Sequence, residues 1–301
     1  MKKITSAVLK CFGSLKITWP VIIAAALITG VYTAVMAMLP AARDTSFADI
    51  SISFEWWILF GILIIVNSKT PLESALKCFV FFLISQPVVY LVQVPFNRLG
   101  WGIFVYYPQW FAFTLLTFPM GFAGYYLRKE KWWSMLILGP MLVMLGYHFY
   151  GFFRETISFF PNHLLSAIFC VATMLIYPVF IFSDKRLRIA GLALSGVLIA
   201  AATVAVLAGG RTVYETTMMT SGGYHGVDFD DSYSVRLEDE AFGEVEIVYL
   251  DSVECYAVSA RFTKTGETKL IIEAPDGSRR YFALTVGRDT YRIEEITDAG
   301  G

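Results

Sequence analysis

Apolar positions fill the first two thirds of the chain in runs of close to 20 residues, each closed by a short polar or basic turn. A hydrocarbon core about 30 Å thick needs about 20 such residues in a helix, so the pattern predicts membrane spans. Seven are expected, at about 17–39, 53–67, 71–95, 108–127, 132–153, 161–183 and 188–208, behind a lysine-bearing amphipathic lead over 1–16. The long charged lead and the lack of an Ala-x-Ala site favour a retained first span over a cleaved signal peptide. Past about Arg211 the period shortens to two. Strands are predicted at 233–237, 245–250, 253–262, 269–274, 280–286 and 291–296. The expected architecture is a multi-pass α-helical membrane bundle over 17–209, joined to a small all-β, sandwich-like extracytoplasmic domain over 210–301.

The third span has the most marked polar pattern. Thr70 is placed to cap it, Pro71 suits the first helical position, and Glu73 completes a capping box and can pair with Lys77. Gln86, Tyr90, Gln93 and Asn97 then recur at helical spacing. At 100° per residue these four fall within an arc of about 60°. Pro87 and Pro95 each leave a carbonyl without its helical partner and predict a kink. In lipid such a stripe must face protein or water, so these four residues are candidate binding residues for a small solute. Interhelical bonding that glues the bundle is the other reading.

In the β-region, Pro275-Asp276-Gly277-Ser278 is a turn between two apolar runs, and Leu270 to Val286 reads as a hairpin. The stretch from Gly266 to Val286 resembles the final two strands of bacterial immunoglobulin-like surface domains. That resemblance implies a binding or spacing module without catalysis. It covers about 20 residues; the membrane part resembles no family of known function.

Composition adds orientation. The chain is 56% apolar and 16% charged, with a formal net charge of −1. That balance hides 15 Lys and Arg against 7 Asp and Glu in residues 1–210, and 9 against 18 afterwards. A nucleic-acid surface is not implied. With the N-terminus in the cytoplasm, the inner segments carry Lys2, Lys3, Lys10, Lys16, Lys69, Arg128, Lys129, Lys131, Lys185, Arg186 and Arg188. The outer loops carry Arg43, Arg98 and Arg154. The positive-inside rule then places the β-domain outside a cell membrane. Cys11, Cys78, Cys170 and Cys255 have no metal-ligand spacing and read as inert thiols.

All three histidines fall on the outer side in this topology. His148 and Glu155 lie seven apart, and the short turn that follows brings His163 towards both, so these three are the candidates for a metal or proton-linked site or for catalysis. Interfacial structure is the plainer reading of all three. Glu55, at the mouth of the second span, reads as an ordinary carboxylate at headgroup depth. Phe159 and His163 match one motif of the intramembrane CAAX-type proteases, but the paired glutamates of that family are missing. Gly222 to Gly226 reads as a loop around His225, and the clusters Asp228–Asp231 and Glu238–Glu240 as solvated acidic surface. No motif implies a metal or cofactor, and none is expected. Three functions fit: a membrane-anchored binding, sensing or envelope-assembly protein with an extracytoplasmic protein partner; a small-solute transporter or channel; and an intramembrane enzyme with an outer-leaflet site.

Overall fold

The computed structural model describes residues 16–42, 44–97, 99–209, 212–223, 227–251 and 254–296. The amphipathic lead up to residue 15 with Cys11, together with Arg43, Arg98 and His225, lies outside them. The chain forms two compact units, a helical one that runs to Thr156 and resumes over Phe160–Val204, and a β-rich one from Ala205 onward that also takes in Ile157–Phe159.

The helical unit contains α1 (Trp19–Met38), α2 (Ser46–Ile52), α3 (Phe54–Asn67), α4 (Pro71–Gln93), α5 (Tyr107–Gly124), α6 (Ser134–Ser158), α7 (Leu164–Ile181) and α8 (Lys185–Gly209). Five of these, α1, α4, α6, α7 and α8, are long and apolar enough to cross a membrane, and α2 with α3 would make a sixth crossing bent by 49°. The remaining predicted span, α5, has 18 residues and no charge, but Tyr107, Pro108, Gln109 and Trp110 make its start less apolar.

The start of α4 follows its sequence signals. The Thr70 hydroxyl accepts from Glu73 N at 3.1 Å, and Glu73 accepts from Lys69 N at 2.7 Å. The helix runs through Pro87 and ends at Gln93, before Pro95. α4 is the central strut, packed along α1 on one side and α5 on the other. Glycine permits both approaches. A Cβ on Gly121 would sit 3.1 Å from Ala75 Cα and Cys78 Cβ, and the Ser74 hydroxyl donates to Gly121 O at 2.8 Å.

The two ends of the unit differ in charge. At one end Arg128 donates to Ser68 O and Tyr125 to Lys69 O, while Glu130 accepts from the backbone of Ser183 and Asp184. These bonds gather the turns that carry Lys69, Arg128, Lys129, Lys185, Arg186 and Arg188. At the opposite end Ser46 N donates to Asn162 O at 2.7 Å, joining the start of α2 to the start of α7.

The β-rich unit has seven strands: β1 (Tyr214–Thr220), β2 (Ser234–Leu237), β3 (Gly243–Leu250), β4 (Cys255–Phe262), β5 (Gly266–Glu273), β6 (Arg279–Val286) and β7 (Tyr291–Glu295). They form two antiparallel sheets, ordered β1-β4-β3 and β2-β5-β6-β7. Inward residues of both sheets, among them Val258, Ala260, Phe262, Leu270, Ile272, Phe282 and Leu284, share one core. The expected hairpin is β5–β6, with Leu270 opposite Phe282. In its turn Asp276 accepts from the hydroxyl and backbone of Ser278, which holds its carboxyl below the usual carboxylate range. β1 was not among the predicted strands. Its Tyr-Glu-Thr-Thr run alternates partly buried with exposed positions, but Met218 and Met219 after a register shift are both buried, which breaks the period.

Candidate functional site

Glu55 is not the ordinary interfacial carboxylate expected from the sequence, because its side chain is closed off by protein. Glu55 is fully buried in the first turn of α3, directly after the break with α2. The break coincides with a contact from another helix. Ser51 O, the acceptor a continuous helix would offer to Glu55 N, instead takes the Thr33 hydroxyl of α1 at 2.9 Å. The Ser51 hydroxyl turns back to Ala48 O, and Ser53, extended, ends α2 and begins α3.

Two carboxylates flank this break, and each meets a histidine from another helix. Glu55 Oε1 lies 2.7 Å from His148 Nδ1 of α6, and the Cys170 thiol of α7 donates to the same oxygen at 3.6 Å. Oε2 has no protein partner among the described residues. Tyr177, seven residues beyond Cys170 on α7, is also buried with its hydroxyl unpartnered, within electrostatic reach of Glu55. His148 itself is partly exposed, its ring edge-on to Phe54 at 5.9 Å. The pair therefore links a closed interior to a more open side.

The second pair is Asp49 with His163. Asp49 Oδ2 lies 2.7 Å from His163 Nδ1 and accepts the Ser166 hydroxyl at 2.9 Å. His163 is the N-cap residue of α7 and Ser166 lies in its first turn, so the carboxylate sits where the helix dipole favours negative charge. Ser46 completes the cap from outside: its hydroxyl accepts from Ser166 N and donates to Asn162 O.

The predicted cluster of His148, Glu155 and His163 is divided in the structure. His148 joins Glu55, His163 joins Asp49, and Glu155 accepts from its neighbour Arg154 at 3.1 Å. Among the described residues, no group of three His, Cys, Asp or Glu is arranged to hold a metal ion. The polar stripe of α4 divides as well. Gln93 bonds back to Val89 O, and Asn97 caps its own loop at Leu99 N. Tyr90 packs on Phe104 and Tyr107, while Gln86 is buried and faces inward. Asp49 escaped the sequence reading altogether. Its available signal was that it and Glu55 bracket Ser51-Ile52-Ser53 inside an apolar stretch, a pattern that favours a break over a surface loop.

On its other side from His148, Phe54 borders open space. It lines an apolar cavity of about 440 Å³ bounded by α3, α4, α5 and α6. Comparison of the chain with protein-family models, curated proteins and solved structures finds no match. Fold and site therefore define the class by themselves: a bundle with several helices apolar enough to span a membrane, a broken helix bearing two carboxylate–histidine pairs, and a C-terminal β-rich unit.

Proposed function

We propose that the helical unit is a proton-linked membrane carrier, with Glu55 and His148 as its proton site. The observation that carries this reading is Glu55 itself, closed from solvent at a helix break, with one oxygen on a histidine and the other without a hydrogen bond among the described residues. An ionisable side chain inside a span is costly, so a carboxylate kept there is a functional group by default. Broken helices beside ionisable groups are how many carriers build their sites. The pair holds one proton as carboxylate and imidazolium, or as carboxylic acid and imidazole. A second proton converts it to carboxylic acid and imidazolium, removes the ion pair, and frees His148 on its more open side.

The chain is read as crossing a cell membrane seven times, with α5 and the bent α2–α3 pair each counted as one crossing. The basic end is cytoplasmic by the positive-inside rule, which puts both pairs in the outer half and the β-unit outside. The test is a pH jump on proteoliposomes adsorbed to a capacitive sensor. Wild type should give a transient current as protons enter the site, and Glu55→Gln should remove most of it while remaining folded. Equal currents in the two proteins would sink the reading.

A second reading gives the β-unit a binding role towards an extracytoplasmic protein. The observation in its favour is Tyr249 on β3, 52% exposed and stacked edge-on against Tyr256 across the strands at 5.1 Å. Exposed aromatic anchors are enriched in interfaces. Tyr249→Ser should then reduce cross-linking of the intact protein to a partner on cells without shifting its melting temperature; unchanged cross-linking would count against it.

A further inference from the structure

The cavity faced by Phe54 has a chemistry of its own. Its volume of about 440 Å³ is roughly three times that of the ~150 Å³ apolar cavity known to hold benzene. Lining residues run from Phe54 to Ile65 on α3 and from Trp110 to Gly121 on α5. At 1.5 Å per residue each of these stretches is about 16 Å long. The ~150 Å³ cavity holds the six carbons of benzene, so on the same scale this one has room for about 18 carbons, one long hydrocarbon chain and not the two of a bilayer lipid.

The lining carries no charged residue. Met120, Met141 and Met144 give it deformable walls. Thr114 and Thr117 spend their hydroxyls inside α5, on Trp110 O at 3.0 Å and Thr114 O at 2.6 Å. Gln86 differs. It is 6% exposed, lines the cavity, and its carboxamide makes no hydrogen bond among the described residues.

We infer that this cavity binds a single-chain neutral amphiphile. Its ligand is a long hydrocarbon chain bearing one uncharged oxygen group, an alcohol, ester or ketone, which Gln86 hydrogen-bonds. A charged head finds no countercharge in the lining, and a two-chain lipid exceeds the volume. The inference rests on the carrier reading only for the use to which binding is put, and binding is measured below without transport.

The purified protein in detergent is irradiated with a long-chain alcohol carrying a diazirine, and labelled peptides are mapped. Labelling should saturate at one per chain, fall on the cavity-lining segments of α3, α5 and α6, and be displaced by unlabelled alcohol but not by the carboxylic acid of equal length. Gln86→Leu should weaken alcohol binding about three- to tenfold, the worth of one hydrogen bond, and leave an alkane probe unaffected. Met144→Trp fills the cavity and should abolish saturable labelling by both probes; if it fails to fold, Thr117→Phe fills it from the opposite wall. Labelling that never saturates, that spreads over the outer faces of α1 and α8, or that survives in a folded filled variant would overturn the inference. Labelling as expected without a pH-jump current would remove the carrier reading and leave the binding site standing.

Discussion

His148→Ala is expected to destabilise the helical unit by about 3–5 kcal/mol, near the lower end because His148 is partly exposed. The change removes the partner of a carboxylate that has no water to turn to, and the Cys170 thiol is too weak a donor to replace an imidazolium. The deficit should shrink as pH is lowered, because protonation of Glu55 removes the uncompensated charge. Replacing both groups, Glu55→Leu with His148→Leu, should return stability to wild type or raise it by 1–4 kcal/mol, since an apolar pair of similar volume avoids the desolvation penalty. Denaturation of wild type, Glu55→Leu, His148→Leu and the double variant in detergent measures the coupling. Additive losses would mean that the two side chains do not act as a pair. Recovery in the double variant with loss of the pH-jump current would show a protein less stable than it could be because its site retains a buried charge.

Gly30→Ala is expected to cost more than its size suggests, about 1–3 kcal/mol. A Cβ there would stand 2.7 Å from Ser85 O and 2.9 Å from Val88 Cβ, so α1 and α4 would have to separate along their shared face. Ser85 O is backbone in mid-helix and cannot move aside alone. Gly124→Ala makes the contrast: its Cβ would meet Ile65 Cδ1 at 2.6 Å, the far end of a flexible side chain that can rotate away. The second substitution should change stability by less than about 0.5 kcal/mol, or raise it slightly through better helix propensity. Equal losses at the two sites would show that the α1–α4 approach is not set by backbone contact. Both variants can be compared in the same detergent titration.

Much of the architecture was legible because it follows from local rules. The Thr70–Glu73 cap and Pro71 placed the start of α4 at the observed residue, and turn chemistry at Pro275–Ser278 located the β5–β6 hairpin. The break between α2 and α3 was not legible. It coincides with a hydroxyl from α1 that takes the carbonyl of Ser51, a contact that no periodicity along residues 46–67 reports. The same limit governed the polar stripe. Gln86, Tyr90, Gln93 and Asn97 do share a helical face by arithmetic, but only Gln86 lies deep enough between neighbouring helices to face the cavity.

The candidate site shows the division most clearly. Histidine spacing pointed to His148, Glu155 and His163 because residues seven apart on one helix are near each other. The structure pairs His148 and His163 with acids from a different part of the chain, Asp49 lying 114 residues from His163. By itself the sequence determined that apolar helices precede a β-rich unit, which charges mark the two ends of the bundle, and where α4 begins. These properties depend on hydrogen bonds and hydrophobic periods within a few turns of chain. Only the tertiary structure decided which acid faces which base, that Glu55 is buried, and that four helices leave a cavity beside Phe54. Each of these depends on helices distant in sequence approaching within a few ångströms, and small residues such as Gly30 and Gly121 set how close that approach can be.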